Sequence, residues 1–373
     1  METLRATGNR RRNKRRLNVR RFILVILALF VIVGAVIGIV FGLKSCSLAV
    51  KKQSLPFSPE AKYAYTGDGF IYMDGLNLRY VSLSDEENNF SEQLEYAPEK
   101  LIGTPQLKAI ATRSSFRIVN TRHDNSFDGE IRKITAGSNY IAVFVEGNDG
   151  KLTLIVYNAA GDRCYTEDYT DRVLLDFGFE GGGSDSFYTS ELIIKGDVLS
   201  TSIKTRDIRR QSNTGDLYIQ GQVVTKVFLT EKSVFAYGTD RIIRFDRKTN
   251  TEAYRVLANG YDCTDASWSG GRIVFLLSRS DDRGGPINVL SLKEDSTADE
   301  SRFVMTGSGE SVACFTLSGK VFEVRSDKLV ILNNKGAEEK SIPFEGEITG
   351  AAKADNNALI VFAGNESILY SVK

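Results

Sequence analysis

The chain has 373 residues, and 48 Lys and Arg against 47 Asp and Glu with a 25% charged fraction exclude a wholly disordered polypeptide. Six prolines exclude a collagen-like repeat, four cysteines are too few for a disulfide-dense scaffold, and a single histidine, His123, removes much catalytic and metal chemistry. The charge is unevenly placed: residues 1–21 hold nine Lys or Arg and one acid, Glu2, so a basic tail of +8 precedes a body of −7.

Phe22 to Leu43 reads FILVILALFVIVGAVIGIVFGL, 22 residues without a charge or a proline. As a helix rising about 1.5 Å per residue, such a run crosses a bilayer core of about 30 Å. A secretory signal sequence is the competing reading, but its apolar region is about 7–15 residues long and leads to a small-residue cleavage site. Here Lys44 follows at once, and Lys44-Ser45 before Cys46 makes a poor lipoprotein site, so the run reads as an uncleaved anchor. Because the excess of Lys and Arg lies before the span, the N-terminus is expected in the cytoplasm and the remaining 330 residues outside the cell membrane. Clustered Arg and Lys also suit nucleic acid. Topology and contact with anionic membrane lipid explain the tail without that partner, so no nucleic acid is expected. Gly34, Gly38 and Gly42 share one helix face and would let a second helix approach closely, so a homodimer through the span is the alternative to glycines that are simply common in membrane helices.

Residues 44–60 contain Pro56, Pro59, Ser54 and Ser58 and read as a short stalk. From there on one form recurs: a short apolar strand, a turn of Gly, Asn, Asp or Ser, and a second apolar strand. The first copy is Phe70 to Met73, Asp74-Gly75, Leu76 to Tyr80, and the second runs from Tyr140 through Gly147-Asn148-Asp149-Gly150 to Asn158. Five more follow, turning at Gly196-Asp197, Gly238-Thr239-Asp240, the loop from Asp281 to Gly285, Ser326-Asp327 and Gly364-Asn365. Flanking strands such as Val173 to Phe177 and Leu217 to Ile219 enlarge each hairpin to a four-stranded unit. Such a sheet cannot bury both faces alone, and the continuous apolar runs suit strands covered on both sides. An all-β propeller over residues 61–373 is therefore expected, with seven blades. The alternative is eight, since Ala109 to Ala111 and Phe116 to Val119 form either a degenerate blade or an insertion in the long first interval. The chain stops about two strands into its last unit, so the segment near Tyr63 is expected to complete that blade and close the ring.

The stretch Thr214-Gly215-Asp216-Leu217-Tyr218-Ile219, with Val224 to Phe228 and Ala236-Tyr237-Gly238-Thr239-Asp240-Arg241-Ile242, resembles a family of Gram-positive bacterial proteins with a basic tail, one membrane span and a propeller-like outer domain of unknown function. The resemblance covers residues 171–260 best and implies envelope location and fold, with no catalytic residue to carry over.

His123 in Thr121-Arg122-His123-Asp124-Asn125 is a lone loop histidine, and four scattered Cys without a CxxC make no zinc site. Cys263 with Cys314 is the expected pair if any outer disulfide forms, with buried free thiols as the alternative. Gly181-Gly182-Gly183-Ser184-Asp185 lacks the Lys of a phosphate loop, and Ser280 to Gly285 lacks the spacing of a calcium loop, so both read as turns. Quinone-dependent propeller enzymes resemble arrays with a tryptophan in nearly every blade, and this chain has one, Trp268. No enzyme and no cofactor is expected. The outer domain reads as an interaction platform for another envelope protein, or alternatively as a glycan or small-ligand binder using Tyr188, Tyr261 and Trp268 for stacking.

Overall fold

The computed structural model describes residues 49–372 apart from 120, 122–123, 181–185, 196, 280–284, 296–300 and 306–310. The apolar run with Gly34, Gly38 and Gly42, the histidine His123, the Gly181–Asp185 loop and residues 280–284 lie outside the described residues. Among the described residues no helix is long and apolar enough to cross a membrane.

The described chain forms eight antiparallel four-stranded sheets, and a short 3-10 turn, Glu86–Asn88, is its one helical element. The hairpins expected from the sequence supply the second and third strands of their blades. Gly75 (φ 61°) and Gly364 (φ 56°) take the first position of two-residue turns, where glycine accepts a left-handed backbone at no steric cost. The blade count is corrected from seven to eight. Lys100–Gly103, Lys108–Ala111, Ser115–Ile118 and Asp124–Ser126 pair into a complete blade, so the segment in the long interval is a blade with unusually short strands and not an insertion.

Ring closure is corrected too. Val50–Leu55, placed in the stalk with Pro56, Pro59 and the serines around them, is the outer strand of blade 8 and pairs along its whole length with Glu366–Val372. Tyr63–Tyr65 is instead the inner strand of blade 1. The Lys-Lys-Gln stretch hides the strand because an outermost strand is solvated on one edge and needs no apolar run.

Apolar clusters join neighbouring sheets face to face. Phe57 and Phe70 pack with Ile360 between blades 8 and 1, Phe116 with Tyr157 between blades 2 and 3, and Phe235 with Phe275 between blades 5 and 6. Phe344 against Tyr370 links blades 7 and 8, so each sheet is covered by its neighbours. Strand direction defines two ends. The first-to-second and third-to-fourth turns lie at the lower end, and the second-to-third turns and the links between blades at the upper. Val50 pairs with Val372, so the chain joins the propeller at the lower end.

Candidate functional site

The residues nearest the axis share a device that the sequence reading missed. The inner strands of blades 3 to 8 each contain a β-bulge, and the extra residues are Arg132, Leu175, Thr225, Thr264, Val312 and Thr349. A bulge re-aims side chains. Here the extra residues face outward from partly buried strands, all but Leu175 being exposed. Where the extra residue is threonine, its hydroxyl donates to the second strand: Thr225 to the Tyr237 carbonyl (3.5 Å), Thr264 to Leu276 (3.2 Å) and Thr349 to Phe362 (3.3 Å).

The residue after the bulge carries charge in blades 3 to 6: Lys133, Asp176, Lys226 and Asp265. Lys133, Lys226 and Asp265 reach the next blade, and Asp176 meets Lys133 of the blade before it. Lys133 Nζ lies 2.5 Å from Asp176 Oδ1, whose Oδ2 accepts from the Tyr188 hydroxyl at 2.8 Å. Lys226 donates to the Cys263 carbonyl. Asp265 Oδ2 accepts from the Thr316 backbone N–H (2.7 Å) and hydroxyl (3.0 Å), and its Oδ1 from Lys353 Nζ (2.7 Å). The charges are thereby committed to neighbouring strands, and the belt is a clamp between blades. The signal was the repeated tetrapeptide Val224-Thr225-Lys226-Val227, Cys263-Thr264-Asp265-Ala266, Ile348-Thr349-Gly350-Ala351. It lies just before the apolar hairpins that drew attention.

At the lower end a cavity of about 460 Å³ is framed by turns of blades 8, 1, 2, 3 and 4, including Tyr65, Thr104, Ser138, Phe179, Glu180 and Asp355. The Tyr65 hydroxyl donates to the Gly67 carbonyl (2.8 Å), and burial, with Asp355 and Asp68 adding to it, pushes its pKa up to about 12, so it stays a neutral donor. Glu180 accepts from Arg247 at 2.8 Å. Neutral hydroxyls beside two carboxylates suit a polyhydroxylated ligand. A second cleft of about 870 Å³, between blades 5 and 6, mixes Lys232, Arg244 and Lys248 with Glu231, Asp246 and Glu294. Asp246 there caps its own turn through the backbone N–H groups of Lys248 and Thr249 (both 3.0 Å).

Two carboxylates meet between blades 3 and 4. Arg172 bridges Glu167 (2.6 Å) and the buried Glu191 (2.9 Å), and Lys204 holds Glu191 at 3.0 Å. Burial pushes the Glu167 carboxyl up, but hydrogen bonds from Tyr165 and Arg172 outweigh it and leave its pKa below the ordinary value. Burial, reinforced by Glu191, raises the Tyr169 hydroxyl. Neither the 460 Å³ cavity nor the 870 Å³ cleft is lined by these groups, which act as an internal network.

The three aromatics singled out for ligand stacking are not brought together. Tyr188 is buried in blade 4, Tyr261 lies under Arg279 at the upper end, and Trp268 sits at the lower end, its backbone N–H and carbonyl both held by Asn356 (3.0 and 2.8 Å). Cys164, Cys263 and Cys314 are free thiols, so no Cys263–Cys314 bridge forms; the Cys263 sulfur lies 3.5 Å from the Asp265 carbonyl and that of Cys314 3.8 Å from the Met305 sulfur. Among the described residues no group of three or more His, Cys, Asp or Glu could hold a metal ion.

No family model matches the chain, and no curated protein matches it. Solved structures do. BamB from Moraxella catarrhalis is 12% identical with a TM-score of 0.54 over 87% of this chain and 98% of that one. The WD40 domain of SCAP from fission yeast and Sqt1 from Saccharomyces cerevisiae are each 9% identical, with TM-scores of 0.54 over 86% of this chain and 98% of theirs. At such identities the likeness is one of fold, and the described residues form an eight-bladed all-β propeller.

Proposed function

We propose that this chain is a membrane-anchored, extracytoplasmic β-propeller that serves as a protein-interaction platform in the bacterial cell envelope, binding a partner and catalysing no reaction. The observation that carries the platform reading is a concentration of exposed apolar side chains on one blade. Val173, Ile194, Val198, Leu199 and Tyr218 all belong to blade 4, with exposures from 36% to 74%, and half of the exposed large hydrophobic residues of the described chain lie there. Scattered single residues of this kind need no explanation, but a cluster marks a recognition surface. Ile194 and Leu199, paired near the tip of blade 4, lie at the upper end, opposite the end where Val50 pairs with Val372. The 22-residue apolar run and the basic tail support anchoring with the N-terminus in the cytoplasm, and the resemblance of residues 171–260 to Gram-positive envelope proteins supports the location.

A photo-crosslinking amino acid at Ile194 in living cells is expected to give one protein adduct of defined mass, and the same group at Thr251 none. Loss of the outer domain when intact protoplasts are treated with protease checks the topology independently. The 460 Å³ cavity supports a second reading, a glycan or small polyhydroxylated ligand held at the axis. Saccharide-dependent thermal stabilisation without any adduct at blade 4 would favour it.

A further inference from the structure

We propose that the upper face of the propeller, centred on blade 4, docks a protein surface on which Lys and Arg side chains surround apolar anchors. This rests on the platform reading and names the face used and the chemistry of the partner.

Exposed apolar groups are polarised along the axis. Outside blade 4, the exposed large hydrophobic residues of the described chain are Leu76, Tyr96, Leu257, Val304 and Val312. Leu76 belongs to a second-to-third turn and Tyr96 to the link between blades 1 and 2. Leu257 pairs with Arg241 and Val304 with Asn288, both at the starts of third strands, and Val312 is the second residue of an inner strand. All five therefore lie in the upper half of the disc, as do the five of blade 4, and among the described residues the lower turns hold none. Single exposed apolar residues are ordinary and would fall at both ends. Ten at one end make a face.

Charge decides what fits that face. Glu95, Glu99, Asp171, Asp197, Asp262 and Glu347 lie in or beside its links and turns, all exposed and all without a cation partner among the described residues. Cations toward the same end are held by the chain itself: Arg79 by Asp74 (2.8 Å), Arg132 by Glu146 (2.7 Å), Lys151 by Asp168 (2.8 Å) and Arg241 by Asp240 (2.9 Å). Lys62, Lys100 and Lys226 donate to the carbonyls of Pro98, Ile134 and Cys263. The lower turns mix signs instead, with exposed Arg209, Lys232, Lys248 and Lys335 on some blades and Glu86, Glu87 and Glu231 on others. An acidic face studded with apolar side chains is complementary to a basic surface that carries apolar side chains of its own. Other occupants fit worse. A second copy presents the same negative face, and two copies tethered to one membrane through Val50 both point that face away from it. Anionic lipid is repelled by the carboxylates and lies at the opposite end.

The test uses the full chain in living cells. A photo-crosslinking amino acid at Ile194, Leu257 or Val304 is expected to give an adduct with one and the same protein, and at Lys232 or Lys335 none. Mass spectrometry is expected to place the crosslink in a partner segment with Lys or Arg within a few residues. The triple variant Asp171→Lys, Asp197→Lys, Asp262→Lys should lower the Ile194 adduct yield at least fivefold. The triple Asp171→Asn, Asp197→Asn, Asp262→Asn should lower it less, and guards against misfolding of the lysine variant. Glu86→Lys, Glu87→Lys, Glu231→Lys makes the same change of net charge at the lower end and should leave the yield unchanged. Equal losses in the upper and lower lysine triples, a crosslinked segment rich in Asp and Glu, or an adduct at Ile194 without one at Leu257 and Val304 would each overturn the proposal. An Ile194 adduct undiminished in both upper triples would also overturn it while leaving the platform standing, and no adduct at any position would remove both.

Discussion

Lys353 Nζ stands 2.7 Å from Asp265 Oδ1 and 2.8 Å from the Ala266 carbonyl, so the inner strand of blade 8 is tied to that of blade 6 past blade 7, which joins through Thr316. Both side chains are less than one-fifth exposed. Asp265→Ala leaves the ammonium with the Ala266 carbonyl but without its counter-charge, and two Thr316 donors without their acceptor, and should cost about 2–4 kcal/mol. Lys353→Met leaves Asp265 its Thr316 donors and should cost about 1–2 kcal/mol. Urea denaturation of both variants and their double mutant measures this, and additive losses would show that the pair is not coupled.

The closing strand should be required for folding. A chain beginning at residue 49 keeps Val50–Leu55 against Glu366–Val372, whereas one beginning at residue 56 exposes the edge of blade 8. Thermal melting by circular dichroism should show a cooperative transition for the first. The second should aggregate or melt at least about 10 °C lower, in line with the loss of several kcal/mol.

Val312 occupies in blade 7 the bulge position held by threonine in blades 5, 6 and 8, and it is 40% exposed. Val312→Thr adds a hydroxyl within reach of the Val324 carbonyl, by analogy with Thr264 and Leu276. The substitution should stabilise by about 0.5–1.5 kcal/mol, and Thr264→Val should destabilise by a similar amount, both read from urea midpoints.

Burial pushes the thiols of Cys263 and Cys314 up to about 12. At pH 8 roughly one molecule in ten thousand carries the thiolate at each, so both should resist alkylation in the native protein. In a Cys46→Ser background, mass spectrometry should find Cys164 modified first and all three thiols modified in urea. Equal rates at the three sites in the native state would contradict this packing.

Stability should fall at both extremes of pH. The Glu167 pKa is lowered in the fold, so its contribution is complete above the ordinary 4.5 and disappears as the pH drops through the lowered value. Tyr65 is raised to about 12, so as the pH climbs from 10 to about 12 the unfolded chain ionises and the folded one does not, and stability drops. Glu167→Gln should flatten the acid limb and Tyr65→Phe the alkaline limb of urea stability measured against pH.

The amino-acid sequence alone determined the repeating sheet architecture, because second and third strands such as those holding Phe70 to Met73, Leu359 to Val361 and Ile368 to Tyr370 are buried on both faces and must be apolar there. Inner and outer strands have one edge toward the axis or solvent. Val50–Leu55 could therefore be lysine-rich, and Lys100–Gly103 short, without losing their places in the ring. Only the tertiary structure decided the count of eight blades, the closing strand and the axial clamp. Lys353 and Asp265 are 88 positions apart. Their pairing depends on where the bulges turn each inner strand, and that geometry exists only once all the blades are packed together.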